Sequence, residues 1–371
     1  MRIAGVPYRT IWPTSGGVAV LDQRVLPFKL VVKEIGSAEA MGGAIAEMVV
    51  RGAPLIGVAG AYGAWLALTE VAREYPERSG AAEAELHRRL DQLAAARPTA
   101  VNLRWAVERQ RALLTPGATW SSLAAQLRSA ADAMADEDVE MCAAMGEHGL
   151  TLIRAASERR RGEPVRILTH CNAGWLATID WGTATAPIYR AAREGIPLHI
   201  WVDETRPRLQ GAKLTAFELA EEGIPHTIIA DNAGGHLMQR GEVDLCIVGT
   251  DRTTRCGDVA NKIGTYLKAL AAHHHGVPFY VAAPTSSIDW TIREGRDIPI
   301  EERSGDEVLW AEGMLRSGEV AEVRLAAPRS SACNPGFDVT PRTLVTGLIT
   351  PRGVCAASET GLLGLYPEEQ R

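Results

Sequence analysis

From about residue 163 onward, short apolar runs bounded by turn residues alternate with segments of helical pattern, and this alternation constrains the fold more than any other feature. The apolar runs predict strands at 165–169, 198–202, 227–230, 245–248 and 279–282, and the segments between them predict helices near 184–194, 212–222, 236–240 and 260–274. Strand–helix–strand units build a parallel sheet that is buried on both faces, which explains why the runs are almost continuously apolar. We therefore expect an α/β fold with a parallel sheet.

The first part of the chain has a different pattern. Short β-like stretches at 8–12 and 18–21 are followed by Ala-rich segments with apolar residues at helical spacing, including 76–100 and 115–135. A chain of 371 residues is long enough for two domains. We predict a small, mainly helical N-terminal domain at 1–150 with a short β start, and an α/β domain at 151–371.

Composition excludes several classes of protein. The hydrophobic fraction of 46% and charged fraction of 23% are those of a globular chain, and the formal net charge is −6 with basic residues interspersed among acidic ones. This distribution argues against a nucleic-acid surface. The six cysteines form no CxxC pair and no signal segment is recognised, which predicts a cytoplasmic protein with reduced thiols. No apolar run approaches the roughly 20 residues that cross a bilayer, so we expect no membrane insertion.

Polar and small residues follow the predicted strands. Ligands of open α/β sheets bind beyond the carboxyl ends of the strands, so these segments are the place to look for a site. They are His170-Cys171-Asn172-Ala173-Gly174, Asp203-Glu204-Thr205-Arg206, Asp231-Asn232-Ala233-Gly234-Gly235 and Gly249-Thr250-Asp251-Arg252. The sequence therefore predicts a polar site at this edge of the sheet.

Cys171 and Asp251 are the candidates for chemistry. Cys171 lies in a turn where backbone N–H groups and a following helix N-terminus would lower the pKa of a thiol. The alternative is that it packs as a small buried hydrophobe, as most free cysteines do. Asp251 could project into the same crevice, or it could serve as a helix cap or ion-pair partner. Position alone leaves both pairs of interpretations open.

Three segments offer a cation for a phosphate. Asn261 and Lys262 precede a predicted helix, where a lysine and free backbone donors would together suit an anion. Arg51 lies beside a turn of Gly52, Ala53 and Pro54, and Arg97 precedes Pro98-Thr99. Neither a G-x-G-x-x-G fingerprint nor a Walker A pattern is present, so nucleotide binding has no support.

Metal binding is not predicted. His273, His274 and His275 are adjacent on a helix and point in different directions, so we interpret them as a polar helix C-terminus. The pair His170-Cys171 is a better candidate, but no further Cys or His at ligand spacing completes a site. We expect neither a metal nor another cofactor.

Several motifs together resemble the methylthioribose-1-phosphate isomerases, and the likeness covers nearly the whole chain. They are Arg51-Gly52-Ala53-Pro54, Thr169-His170-Cys171-Asn172-Ala173-Gly174, Glu204-Thr205-Arg206-Pro207 with Gln210-Gly211, and Gly257-Asp258-Val259-Ala260-Asn261-Lys262-Ile263-Gly264-Thr265. The resemblance implies a helical N-terminal domain, a Rossmann-like C-terminal domain and a homodimer. It implies an aldose–ketose isomerase acting on a sugar phosphate, with Cys171 as catalytic thiol and Asp251 as proton donor. The substrate contacts that it implies are Arg51, Gly52, Ala53, Arg97, Gln210, Asn261 and Lys262.

The group at substrate C5 and the route of hydrogen transfer stay open at this point. The same superfamily includes ribose-1,5-bisphosphate isomerases and the regulatory subunits of the exchange factor for translation initiation factor 2. Hydrogen could move from C2 to C1 as a proton through an enediol or as a hydride. We expect an apolar C5 group, methylthio or deoxy, because no second cation cluster is evident. Trp175 and Trp181 could form the apolar wall, or they could be core residues.

Overall fold

The structure, a computed structural model, describes residues 1–97 and 101–370. The α-helices are α1 (Ala38–Ala46), α2 (Ala53–Glu74), α3 (Gly80–Ala94), α4 (Val101–Arg111), α5 (Trp120–Arg160), α6 (Ala186–Arg193), α7 (Ala216–Glu221), α8 (Ala233–Gln239), α9 (Thr265–His274), α10 (Asp306–Leu309) and α11 (Glu359–Leu365). A π-helical segment, Gly211–Thr215, runs directly into α7.

The strands are β1 (Arg2–Ile3), β2 (Val6–Pro7), β3 (Ile11–Pro13), β4 (Val18–Leu21), β5 (Val32–Ile35), β6 (Val165–Thr169), β7 (Leu198–Asp203), β8 (His226–Ile229), β9 (Leu245–Val248), β10 (Arg252–Thr254), β11 (Val259–Lys262), β12 (Phe279–Ala282), β13 (Ile288–Asp289), β14 (Trp310–Met314), β15 (Val320–Arg324), β16 (Phe337–Thr340), β17 (Gly347–Thr350) and β18 (Gly353–Cys355). The chain is thus mixed α/β, as expected.

Helices dominate the N-terminal part, as the sequence predicts. Helix α2 is buried along most of its length and packs against α4, where a Cβ at Gly60 would lie 2.6 Å from Leu103 Cδ1. Helix α2 is long and apolar enough to cross a membrane by length and composition, which corrects the expectation that no run approaches that length. Since 78% of its apolar window is buried inside the protein, it has the surroundings of a core helix.

Helix α5 is much longer than the predicted helix at 115–135. It begins after the N-cap Thr119, whose side chain accepts a hydrogen bond from the Ser122 N–H, and it continues for 41 residues to Arg160. The helix packs against both α2 and α6, so it belongs to the helical layer and also covers the main sheet. The predicted boundary at residue 150 falls inside it, and the division into two domains stays a prediction.

The main sheet has seven strands in the order β18-β17-β12-β9-β6-β7-β8, with all neighbours parallel except β17 and β18. All five predicted strands are present, and β6, β9 and β12 begin and end at the predicted residues. Strand β8 lies one residue earlier than predicted, and β7 extends one residue further. Because β6 and β9 are neighbours, the segments that follow them, which contain Cys171 and Asp251, leave the sheet side by side.

A second sheet corrects the prediction of a helix at 260–274. Residues Val259–Lys262 form β11, which pairs antiparallel with β10 and with β16, and helix α9 begins only at Thr265. The sequence alone does not reveal this because the pairing partner, Phe337–Thr340, is more than 70 positions away. The helix ends at His274 with His275 as its C-cap, which confirms the predicted polar C-terminus.

Candidate active site

Cys171 is the second residue after β6, and its main chain is held from both sides. Its N–H donates a hydrogen bond to Thr205 Oγ1 at 2.8 Å, and its carbonyl accepts one from Thr215 Oγ1 at 2.7 Å. Its φ angle is +66°, in the left-handed region that non-glycine residues seldom adopt. Threonines from two other segments therefore hold the thiol in a backbone conformation that a free chain would avoid.

Asp251 follows β9 and lines the same cavity as Cys171. Its N–H donates to the carbonyl of Ala260 at 3.0 Å, which ties it to the second sheet. Arg51 and Asn261 also line this cavity. The structure thus brings the two residues with predicted acid–base roles together, although 80 positions of sequence separate them.

Burial raises the pKa of both groups. For Cys171, burial outweighs the charges of Arg51 and Lys262, which act in the opposite direction, and the pKa lies above its ordinary value. This is contrary to the expectation that the turn lowers the pKa of the thiol. For Asp251, burial raises the pKa against the opposing charges of Lys262, Arg51 and Arg97. The cavity therefore favours the neutral acid form of each group.

The N-terminus of α2 points into this cavity. Gly52 is its N-cap with φ +96°, no side chain caps the helix, and Ala53 and Pro54 form its first turn. A Cβ at Gly52 would lie 2.4 Å from the carbonyl oxygen of Ala177, so only glycine fits. The uncapped turn and the preceding Arg51 present backbone donors and a cation to the same space.

Asn261 and Lys262 lie on β11 and not at a helix N-terminus. Lys262 is buried, donates to the carbonyl of Gly336 at 2.8 Å and lies 4.6 Å from the ring centre of Phe337. Burial lowers its pKa, and the nearby Cys171 and Asp251 act in the opposite direction. The N-terminal amides of α9 are already used, because Asp338 accepts hydrogen bonds from Gly264 and Tyr266.

A second cavity adjoins the first one and shares Gly52, Ala53 and Asp251 with it. Its apolar wall is formed by Ile56, Val101, Ile298, Pro299, Ile300 and Phe337. Arg97 lies at this cavity, with a guanidinium nitrogen 3.9 Å from Glu301 Oε2. Burial lowers the pKa of Arg97. Pro98 and Thr99, named with Arg97 in the sequence motif, lie outside the described residues.

Gln210 lies on the other side of Arg51, in a neighbouring cavity that Arg51 also lines. Arg24, Arg208 and Lys213 line that cavity as well. Gln210 Oε1 is buried and has no hydrogen-bond partner among the residues that the structure describes. The structure therefore brings Gln210 beside Arg51 but not into the cavity of Cys171 and Asp251.

The two tryptophans after Cys171 do not line either cavity. Trp175 is fully buried in the core around β6, and Trp181 stacks against the guanidinium groups of Arg190 and Arg193. Their interpretation as a wall of the site is therefore wrong, and they have structural roles in packing the main sheet.

His170 belongs to a polar cluster behind the site. Its Nδ1 lies 2.8 Å from Asp203 Oδ2, its Nε2 lies 2.8 Å from the carbonyl oxygen of Ile263, and Asp231 Oδ1 is 3.9 Å from Nδ1. Ligand atoms of the three side chains lie within 4.8 Å of one another. The ammonium of Lys268, 3.2 Å from Asp203, already supplies a positive charge. We interpret the cluster as a link between strand ends, and the absence of a metal stays a prediction.

A cavity of about 610 Å³ between α1, α2 and α3 is larger but offers no nucleophile. The charged side chains along it pair with one another, as Arg89 does with Glu70 and Glu74. We therefore assign the site to the cavity of Cys171 and Asp251.

The sequence does not identify the residues that hold Cys171 and the segment after it in place. Thr205 lies in the motif Glu204-Thr205-Arg206-Pro207 and Asn172 in the motif of Cys171, but neither motif assigns them a role. Thr215 and Glu218, which accepts a hydrogen bond from Asn172 Nδ2 at 2.8 Å, give no signal because they occur in an ordinary amphipathic segment.

Comparison with known proteins shows the same architecture over the whole chain. Residues 49–357 match the model of the Initiation factor 2 subunit family. A methylthioribose-1-phosphate isomerase of Methylorubrum populi is 57% identical over 376 residues and covers 100% of both chains. The solved 5-methylthioribose 1-phosphate isomerase of Pyrococcus horikoshii OT3 has a TM-score of 0.83 and 38% identity, covering 98% of this chain and 96% of that one. A solved translation initiation factor eIF-2B, subunit delta, from A. fulgidus has a TM-score of 0.79 and 37% identity, covering 97% and 100%.

Proposed function

This chain belongs to the Initiation factor 2 subunit family, and from that membership we propose that it is a methylthioribose-1-phosphate isomerase of methionine salvage. It converts S-methyl-5-thio-α-D-ribose 1-phosphate into S-methyl-5-thio-D-ribulose 1-phosphate. The observation that carries the proposal is that Cys171 and Asp251, which follow neighbouring parallel strands, line one cavity. A binding protein has no chemical need for this pair.

The reaction requires an acid near the sugar ring. Phosphate occupies the anomeric oxygen, so the ring cannot open to a free aldehyde as an ordinary aldose does. A proton must instead be delivered to the ring oxygen while hydrogen moves from C2 to C1. We assign this delivery to Asp251, because burial raises its pKa and thereby favours the protonated carboxyl that a proton donor needs.

The raised pKa of Cys171 bears on how the hydrogen moves. An enediol route needs a thiolate to remove the C2 proton, whereas the cavity favours the neutral thiol. We therefore favour the hydride route. Asp251 gives its proton to the ring oxygen as the C1–ring oxygen bond breaks, and the C2 hydrogen moves with its electron pair to C1. The resulting Asp251 carboxylate takes the proton of the C2 hydroxyl as C2 becomes the ketone. Turnover in D₂O should then leave C1 of the product without solvent deuterium, whereas the enediol route would incorporate it.

We propose that the phosphate binds at the N-terminus of α2, with Arg51, Gly52 and Ala53 as its contacts. Uncapped N–H groups and the positive end of the helix dipole favour an anion there, and the Arg51 guanidinium adds a full charge. Lys262, whose pKa burial lowers, contributes its charge mainly to Cys171 and Asp251. Asn261 in the cavity wall is assigned to the sugar hydroxyls. A substrate contact by Gln210, which lies in the neighbouring cavity beside Arg51, stays a prediction.

The apolar wall of the adjoining cavity supports a methylthio group at C5. Ile56, Ile298 and Phe337 would contact such a group, whose burial stabilises the complex by on the order of 1–2 kcal/mol. Arg97 and Arg252 line this cavity, but Arg97 is buried and faces Glu301, and Arg252 lies 3.5 Å from Asp289, so both are poor partners for a second phosphate. This disfavours ribose 1,5-bisphosphate as the substrate.

One assay tests the proposed function. Purified protein is offered methylthioribose 1-phosphate, 5-deoxyribose 1-phosphate and ribose 1,5-bisphosphate, and ketose formation is followed. The highest kcat/KM is expected for the methylthio or deoxy sugar, with a difference between these two of about 10–200-fold at most, since apolar pockets separate such neighbours poorly. Highest kcat/KM for the bisphosphate would move the chain to the bisphosphate isomerases.

The alternative function is that of a regulatory subunit, as in the A. fulgidus protein named above. Absence of turnover with all three sugars by folded protein would favour it. We also propose that the chain works as a cytoplasmic homodimer, and that the helical part up to residue 150 and the remainder form its two domains. Light scattering of the purified protein tests the dimer, for which twice the chain mass of 39.9 kDa is expected.

A further inference from the structure

Glu218 has a fully buried carboxyl group. It lies behind residues 171–174, which we call the 171–174 turn, and it does not line the cavity of Cys171 and Asp251. It accepts hydrogen bonds from Asn172 Nδ2 at 2.8 Å, from the Trp175 and Leu176 N–H groups at 3.0 Å, and from the Tyr189 hydroxyl at 2.7 Å. The side chain fits tightly, because a Cβ at Gly174 would lie 1.7 Å from Glu218 Oε2. Such a buried acidic side chain, which has no ion-pair partner among the residues that the structure describes, requires an explanation.

The hydrogen bonds use both oxygens of the Glu218 carboxyl group. Oε1 accepts from Asn172 and Leu176, and Oε2 accepts from Trp175 and Tyr189, so each oxygen faces two donors. Of these four groups only the Tyr189 hydroxyl can also accept, so in either protonation state Oε1 remains the acceptor for the Asn172 amide. The pKa of Glu218 lies above its ordinary value, because burial outweighs the same hydrogen bonds, which act to lower it.

Asn172 connects this carboxylate with Arg51. Its Nδ2 donates to Glu218 and, at 3.2 Å, to Thr215 Oγ1, so the amide nitrogen faces inward. Its Oδ1 therefore faces the other way, where it accepts from Arg51 Nη1 at 2.5 Å. A flipped amide would turn two N–H donors toward a guanidinium that can only donate.

We propose that Glu218 is a positioning residue for the isomerase reaction: it fixes the direction of the Asn172 amide and so holds the Arg51 guanidinium at the cavity of Cys171 and Asp251. The inference rests on the proposed function. The π-helical segment Gly211–Thr215 supports it, since the wider turn precedes α7 directly and both Thr215 and Glu218 contact the 171–174 turn. Single π-helical turns occur often at functional sites.

The test compares Glu218→Gln with Tyr189→Phe. Glutamine has one acceptor oxygen where the carboxylate has two, so the Asn172 amide loses its fixed direction, and kcat/KM should fall about 10- to 100-fold through misplacement of Arg51. Tyr189→Phe removes a different donor to the same carboxylate, and kcat/KM should be unchanged although the melting temperature falls. Equal losses of kcat/KM in the two variants would overturn the inference.

A double-mutant cycle separates this role from a merely structural one. In the Asn172→Ala background, Glu218→Gln should lower kcat/KM by less than about threefold, because the link is already broken. Full additivity of the two losses contradicts the proposal. Should Glu218→Gln fail to fold, Glu218→Asp keeps the carboxyl group but shortens the side chain by one methylene, and wild-type kcat/KM in that variant would equally overturn the role.

A readout without turnover distinguishes failure of this inference from failure of the proposed function. The charge of Arg51 lowers the pKa of the Cys171 thiol, so its displacement should move the pH midpoint of Cys171 alkylation by iodoacetamide upward. Site-resolved mass spectrometry follows Cys171 separately from the exposed Cys333. If the wild-type protein has no isomerase activity but the alkylation midpoint of Cys171 is shifted in Glu218→Gln, only the proposed function is refuted. If the midpoint is not shifted in Glu218→Gln, the role of Glu218 is refuted.

Discussion

Arg51 donates two hydrogen bonds to Asn172, one to the side-chain oxygen at 2.5 Å and one to the carbonyl oxygen at 2.9 Å. The two residues are 121 positions apart, and the contact joins the start of α2 to the turn that contains Cys171. The planar guanidinium makes both bonds at once, and lysine cannot reproduce this fork.

Arg51→Lys should therefore raise KM more than it lowers kcat, because the phosphate contact is weakened while Asp251 and Cys171 remain. We expect a KM increase of about tenfold or more, as for the loss of a charge-assisted hydrogen bond. Steady-state kinetics with methylthioribose 1-phosphate measures it. Arg88→Lys on the exposed face of α3 is the control and should change neither parameter. An unchanged KM in Arg51→Lys would remove Arg51 from the phosphate site.

Cys171→Ala and Asp251→Asn should each lower kcat while leaving substrate binding and folding largely intact. General acid–base groups contribute about 10²–10⁴-fold, which sets the size of the loss expected for Asp251→Asn. A loss of that size in Cys171→Ala is expected on the enediol route, and a smaller one on the favoured hydride route, where the thiol transfers no proton. Calorimetry of substrate binding and circular dichroism provide the controls. A variant that keeps more than about half of the wild-type kcat shows that the substituted residue has no acid–base role.

Lys262→Met should move the pH–rate profile to higher pH. The charge of Lys262 lowers the pKa of both Cys171 and Asp251, so its removal raises both pKa values further. If protonated Asp251 is the donor, the rate falls above its pKa, and this alkaline limb should appear at higher pH in the variant. Initial rates between pH 5 and pH 10 test the shift, and coincident profiles would contradict the proximity of these charges.

Asp138 should make the protein less stable as pH rises toward neutrality. Burial raises its pKa from 3.8 to about 7, although it accepts a hydrogen bond from the Ile179 N–H at 2.7 Å. Because the folded state holds this proton more tightly than the unfolded state, the free energy of unfolding contributed by Asp138 is fully present below about pH 4. This contribution decreases by on the order of 4 kcal/mol in total as pH rises to about 7, and it then levels off.

Asp138→Asn should remove this dependence, since an amide oxygen can accept the same hydrogen bond without titrating. Urea unfolding at pH 5 and pH 8 measures the difference in both proteins. The exposed Asp136→Asn is the matched control on the same helix and should retain the wild-type slope. An identical pH dependence in Asp138→Asn and wild type would show that another group is responsible.

The main sheet was predictable because its strands are continuous apolar runs between turns. The first and last residues of β6, β9 and β12 can therefore be found from the local sequence alone. Strand β11 was not predictable, because the sequence around Asn261 and Lys262 resembles the start of a helix. Their strand conformation depends on pairing with Phe337–Thr340. Local patterns contain no information on such a distant partner.

The candidate site was likewise predictable only in part. Cys171 and Asp251 were found from their positions after strands and from the resemblance to a family, and the structure brings them to one cavity. Glu218 was not found, since a glutamate beside Glu221 and Glu222 in a helical segment looks like part of a solvated face. Its burial follows from the packing of α7 against the 171–174 turn, which no periodicity reveals. For Trp175 and Trp181 the sequence left two interpretations open, because large apolar residues suit a pocket wall and a core equally well.

The left-handed backbone of Cys171 implies that the folded protein is less stable than it would be with a glycine at this position. The protein keeps a thiol there at the expense of stability. A non-glycine residue in that conformation costs of order 1–3 kcal/mol, and glycine adopts it without strain. Cys171→Gly should accordingly be inactive and yet melt no lower than Cys171→Ala, which keeps the strain. Differential scanning calorimetry of the two variants would measure this difference in stability. A clearly lower melting temperature for the glycine variant would show that the left-handed conformation does not strain the residue at position 171.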